Sequence, residues 1–192
     1  MYCLFISTFD KLITIGLLKS GEVLEVLEKE SLRNHSEFVM PMIKDILDNN
    51  GIDTSYLNEI IVVNGPGSFT GVRIGVTIAK TLAYTLNIPI KTIDSLKAFS
   101  VSYDNNSKKV VTISDLKGKY IGYFDENNDN IEDYIYLKNK EYEEFIKDKK
   151  DFLIDTTFDL SRIYNYLKNV DAINPHLVNP IYIKGIDALN EK

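Results

Sequence analysis

The sequence holds one cysteine, two histidines and no tryptophan in 192 residues. Cys3 alone cannot close a disulfide within the chain, and its apolar neighbours mark it as a small core residue. His35 and His176 stand far apart, so the pair of ligand histidines that a zinc protease needs at helical spacing is missing. Long apolar runs are missing too. Stretches such as Ile60-Ile61-Val62-Val63 are far too short to cross a bilayer. The opening Met1-Tyr2-Cys3-Leu4-Phe5-Ile6 lacks the basic start and extended apolar stretch of a signal peptide. The expected place is the cytoplasm, with no membrane partner. Basic excess is absent as well. Net charge is −6, with 9 Lys and Arg against 11 Asp and Glu up to residue 100, and 13 against 17 beyond it. Neither half suits tight non-specific binding of nucleic acid, so any RNA would need another protein for most of its phosphate contacts.

What is present is enough for a core: 44% of residues are hydrophobic and 26% charged. Residues 2–7, 12–18 and 22–28 read as three strands, with Asp10-Lys11 and Ser20-Gly21 as hairpin turns. A helix follows Ser36, with Phe38, Val39, Met42, Ile43, Ile46 and Leu47 as its apolar stripe and Asn49-Asn50-Gly51 as its C-terminal stop. Pro41 falls inside it and predicts a kink in its first turns. A buried strand at 59–64, a glycine-rich loop, a helix at 71–86, a strand at 90–93 and a helix at 95–101 complete the first half. After the polar cluster Tyr103-Asp104-Asn105-Asn106-Ser107, strands are predicted at 109–114, 119–124 and 131–137. A helix at 139–147, a strand at 152–155 and a helix at 159–168 follow. Each half opens with three strands and then alternates helices and strands. This plan predicts an α/β, two-lobed, ribonuclease-H-like fold, with a first lobe at 1–103 and a smaller second lobe at 104–192.

The most informative segment is Asn64-Gly65-Pro66-Gly67-Ser68-Phe69-Thr70-Gly71-Val72-Arg73-Ile74-Gly75, which joins a strand to a helix. It is neither a Walker A loop nor a dinucleotide fingerprint. Amides at a helix start could hold an anion, but a tight strand-to-helix turn is the stronger reading. Within the helix, Gly71, Gly75, Ala79 and Ala83 recur every four residues, flanked by Val72 and Val76. That face could let another helix approach closely, or could pack on the chain's own sheet. With Phe38, Met42 and Ile46 on the preceding helix, it is expected to form a partner surface that stays free in the isolated chain.

Residues 65–75 resemble the signature of the TsaB (YeaZ) family throughout. His35-Ser36-Glu37 with Pro41, Ser95-Leu96-Lys97-Ala98 and Pro180-Ile181-Tyr182-Ile183-Lys184 are similar to its other motifs. The resemblance implies an actin-like ATPase fold with a reduced second lobe, and a cytoplasmic, non-catalytic scaffold. In the implied complex a TsaD-type catalytic subunit adds the threonylcarbamoyl group to adenosine 37 of tRNAs reading codons that start with A. A TsaE-type ATPase joins the assembly, and tRNA is met only through the complex. The residues leave open whether the free chain forms a homodimer. No cofactor or metal of its own is implied, any ATP or ADP and metal being held by the partner or at the interface. The signature residues are Gly65, Pro66, Gly67, Ser68, Phe69, Thr70, Gly71 and Arg73.

Two departures bear on catalysis. The family's first strand ends Asp-Thr-Ser, with the carboxylate used by actin-like ATPases; here Ser7-Thr8-Phe9 stands there, and Asp10 comes later. A hydroxyl cannot compensate Mg²⁺ and phosphate charge as a carboxylate does. In the second lobe, Asp-Ala-[Arg/Lys] becomes Ser114-Asp115-Leu116-Lys117, with Asp115 shifted by one. The alternative, an ATP-dependent phosphotransferase of the acetate- or sugar-kinase kind, shares the fold class but needs that missing acid.

Overall fold

The computed structural model describes residues 1–31, 34–103, 107–147, 153–154 and 157–183. Its first sheet has five strands in the order β3-β2-β1-β4-β5. Strands β1 (Tyr2–Ser7), β2 (Leu12–Lys19) and β3 (Glu22–Glu30) form an antiparallel meander. Its tight turn is made by Ser20 and Gly21, both with positive φ. Strands β4 (Leu57–Val63) and β5 (Ile90–Ile93) run parallel to β1, as strands joined through helices do. Helix α1 (His35–Asn49) runs unbroken through Pro41 and stops where Gly51 turns left-handed, its amide donating to the Asp48 carbonyl. Helix α2 (Phe69–Leu86) joins β4 to β5, and α3 (Ser95–Ser102) is N-capped by the Asp94 carboxylate.

The second sheet repeats this plan in the order β8-β7-β6-β9. Strands β6 (Lys109–Ser114), β7 (Gly118–Phe124) and β8 (Ile135–Lys138) form its meander, α4 (Asn139–Ile146) follows, and β9 (Leu153–Ile154) pairs parallel with β6. Among the described residues it has no counterpart of β5, so the second lobe is the reduced one. Strand β8 starts later than the predicted 131–137. The Ile131 amide bonds the Tyr123 carbonyl, and Tyr134 leaves the sheet so that its hydroxyl donates to Asp94 of the first lobe. Residues 152 and 155 of the predicted 152–155 strand lie outside the described residues.

Helix α5 (Leu160–Leu167) packs back on the first sheet. Leu160 fills the space that glycine leaves at Gly16, and the Ser161 hydroxyl donates to the Gly21 carbonyl. A buried ion pair, Lys91 Nζ to Glu59 at 2.8 Å, fixes its far end. The same amine donates to the Leu167 carbonyl, an orphan acceptor at the helix C-terminus. Beside it Cys3 is fully buried, which pushes its thiol well above the ordinary range and leaves it inert. The division at 103/104 therefore separates the two sheets but not the packing. One apolar core runs from Phe5 and Phe9 through Leu160 and Ile163 to Val111, Ile113 and Phe124.

Candidate functional site: the signature loop and its helix

The small-residue face of α2 points inward. Gly71, Val72, Gly75, Val76, Ala79 and Ala83 are all buried within the chain. A Cβ at Gly71 would run into the Thr8 carbonyl oxygen, and one at Gly75 into the Thr8 hydroxyl. That hydroxyl donates to the Gly71 carbonyl at 2.7 Å. The glycines thus let α2 settle on the end of β1, and no side chain fits between them. On α1, Met42 and Ile46 are buried and Phe38 is half-buried, its ring capped by the Lys29 amine at 3.8 Å. The expectation that this face stays free in the isolated chain is corrected: helical spacing alone could not tell a partner's helix from the chain's own sheet.

The outward side of α2 is different in kind. At about 3.6 residues per turn, Thr70, Ile74, Thr77, Ile78, Thr81 and Thr85 fall together, away from the buried residues. The threonines are exposed and the isoleucines half-buried. The only charges on this 18-residue helix are Arg73 and Lys80, displaced to one flank.

The loop entering α2 is engaged within the molecule. Gly67 lies against Phe9, whose Cβ and ring would be 2.9 Å from any side chain placed there. The Ser68 amide donates to the Phe9 carbonyl. Ser95, the first residue of α3, donates its amide to the Gly65 carbonyl at 2.8 Å and its hydroxyl to the Pro66 carbonyl at 2.6 Å. The Ser68 hydroxyl accepts the Gly71 amide. These internal bonds make the loop a tight strand-to-helix turn. The role of Ser95 escaped sequence reasoning. Its motif was visible, but only the fold shows that it pins the loop.

At the end of β1, Ser7 and Thr8 are fully buried and Phe9 is 1% exposed. The Phe9 ring meets Phe99 and Phe158 edge-on, with centroids 5.8 and 6.0 Å away, and Phe99 stacks on Phe158 at 4.7 Å. An aromatic cluster therefore fills the place where the strand's end would otherwise face the space between the lobes. Asp10 does not supply the missing acid there. Its carboxylate accepts the Leu12 amide at 2.8 Å and closes the β1–β2 turn, while burial pushes its pKa up. His35 lies behind that turn, its Nε2–H donating to the Asp10 carbonyl at 2.6 Å. Asp115 likewise closes its own hairpin by accepting the Lys117 amide. His176 packs edge-on against Tyr84, and among the described residues no three acidic, histidine or cysteine side chains converge on a metal position.

Comparison with known proteins agrees with this geometry. Residues 26–145 match the family model described as TsaD, tRNA N6-adenosine threonylcarbamoyltransferase. The tRNA threonylcarbamoyladenosine biosynthesis protein TsaB of Bacillus subtilis (strain 168) is 33% identical over 154 residues, which are 78% of this chain and 67% of that protein. This chain belongs to the TsaB family. The Escherichia coli (strain K12) TsaB protein is 35% identical over 96 residues, covering 50% of this chain and 41% of its own length. The solved structure of YeaZ from Pseudomonas aeruginosa superimposes with a TM-score of 0.79 at 20% identity, over 95% of this chain and 99% of that one. That likeness shows the fold that the TsaB-family chain adopts. Of the final motif, Ile181 lies against Asn64 and Gly65 and Tyr182 against α2, and Lys184 lies outside the described residues.

Proposed function

We propose that this chain is the non-catalytic partner subunit in threonylcarbamoyladenosine biosynthesis on tRNA, pairing with a TsaD-type catalytic subunit. The observation that carries the non-catalytic part is the end of β1. A serine stands in place of the acid, and Phe9 is packed against Gly67 where an actin-like ATPase needs room for phosphate. The family's role in tRNA modification, with an acidic chain poorly suited to RNA, supports contact with tRNA through the complex only.

The partner surface moves from the buried small-residue face to the outward stripe of Thr70, Ile74, Thr77, Ile78 and Thr81. It carries no charge to desolvate, and β-branched side chains lose little rotamer freedom on docking. The TsaD-type match across residues 26–145, which contain both helices, supports a partner presenting a similar helix pair. A second copy of this chain could present the same pair. A TsaE-type ATPase would join this assembly, and ATP or ADP with its metal would sit in the partner or at the interface.

The test is titration of the purified chain with Mg-ATP by calorimetry, followed by an assay of hydrolysis. The expected result is no saturable binding and no turnover. Turnover that disappears on Asp10→Ala or Asp115→Ala would overturn this reading in favour of a phosphotransferase. Ser7→Asp with Phe9→Ser asks whether reopening the strand's end is enough to admit nucleotide.

A further inference from the structure

We infer that the segment 175–183 is a strap that opens as a unit separate from the core, latched across the flank of α2 by Arg73. The strap belongs to neither sheet. Of its side chains only Val178 is fully buried, at 1% exposure, whereas Leu177 is 69%, Tyr182 46% and Ile181 37% exposed. Its main chain is held by groups reaching out from the first lobe. The Asn64 side-chain amide donates to the Asn179 carbonyl at 3.1 Å, and the Asn64 carbonyl accepts the Ile181 amide at 2.7 Å. The Lys80 amine donates to the Val178 carbonyl at 2.8 Å. Gly65 gives the strap its closest approach, since a Cβ there would stand 2.8 Å from the Ile181 carbonyl oxygen. At the open end, the Arg73 Nε–H donates to the Tyr182 hydroxyl at 2.7 Å, with its guanidinium 3.6 Å from the centre of the Phe69 ring. Phe69 and Tyr182 themselves meet with centroids 4.9 Å apart, so the cation lies over one ring while it bonds the hydroxyl of the other.

A segment that joins no sheet, buries one side chain fully and is latched at its open end by an exposed bond opens at lower free energy than the sheet beneath it. Opening leaves both cations of α2, Arg73 and Lys80, without their strap partners. It also frees the carbonyl of Asn64, the residue that enters the signature loop. Strap and loop are therefore coupled: whatever takes hold of Arg73 loosens the strap, and whatever draws the strap away uncovers the α2 flank. Arg73 acts here as a positioning residue.

Hydrogen–deuterium exchange on the full chain tests this, with Tyr182→Phe and Arg73→Lys as variants. Tyr182→Phe removes only the accepting hydroxyl, and Arg73→Lys keeps the charge but loses the planar Nε–H. In the native chain the Ile181 amide should exchange at least ten-fold faster than the amides of β1 and β4. Both variants should speed it several-fold further and leave β1 and β4 unchanged. Acylation of the Lys80 amine by a water-soluble active ester should quicken in parallel. Ile181 exchanging in step with β1 and β4 would overturn the separate opening. Ile181 and Lys80 unmoved in both variants would overturn the latch.

Discussion

The two meanders turn in opposite ways. At the β1–β2 tip of the first lobe, Thr8 and Phe9 are at most 1% exposed, and both the signature loop and α2 rest on them. At the corresponding β6–β7 tip of the second lobe, Leu116 is 99% exposed and the Asp115 carboxylate accepts the Lys117 amide within the turn. The strand plan is shared, so the difference lies in what the neighbouring elements need. In the first lobe, the glycines of α2 and of the loop bring backbone against the tip and make it part of the core. In the second lobe, the start of α4 reaches the tip through the Asn139 amide, which donates to the Lys117 carbonyl, while Leu116 stays in solvent. A position that could serve chemistry has been turned into packing in one lobe and left in solvent in the other.

The largest test of the contrast is Ala79→Glu. Ala79 is fully buried under α2, so the change places a carboxylate in the core with no partner, at a cost of about 3–5 kcal/mol. Urea denaturation should find the isolated chain largely unfolded. A folded variant of native stability would return the small-residue face to the surface.

Next comes Phe9→Ala. Removing the ring from the cluster with Phe99 and Phe158 should cost about 3–5 kcal/mol, read as a fall in the denaturation midpoint with the slope unchanged. A loss below about 1 kcal/mol would mean that the lobes are not joined through this ring.

The smallest effect belongs to the other tip. Leu116→Ser should change stability by less than about 0.5 kcal/mol, within the usual range for exposed sites. A larger loss would show that the second tip is engaged as the first one is.

Much of the frame could be read from residue order alone. The turns at Ser20-Gly21 and Asn49-Asn50-Gly51 announce themselves through residues that tolerate left-handed backbone, and the β4–loop–α2 segment carries its family signature in one unbroken run. The direction in which α2 faces could not be read. Small residues at four-residue spacing are what a helix needs for any close neighbour, and only the contacts of Gly71 and Gly75 with Thr8 show that the neighbour is the end of β1. The aromatic cluster was also hidden, because Phe9, Phe99 and Phe158 are brought together only by the fold. Ser7-Thr8-Phe9 signals the loss of an acid, but nothing in the order of residues says that the phenylalanine closes the gap. Of the strap, the order of residues shows only the motif that starts at Pro180. The strap's contacts with Asn64, Arg73 and Lys80 span about half the chain and leave no periodic trace.

The most direct measurement is the mass of the species formed when this chain is mixed with the TsaD-type subunit of the same organism, by sedimentation or native mass spectrometry. It is made beside Thr77→Arg, which puts a charge at the centre of the outward α2 stripe and leaves the core untouched. The account predicts a one-to-one complex with the native chain and separate subunits with the folded variant. No complex from the native chain, or an undiminished complex with Thr77→Arg, would contradict it.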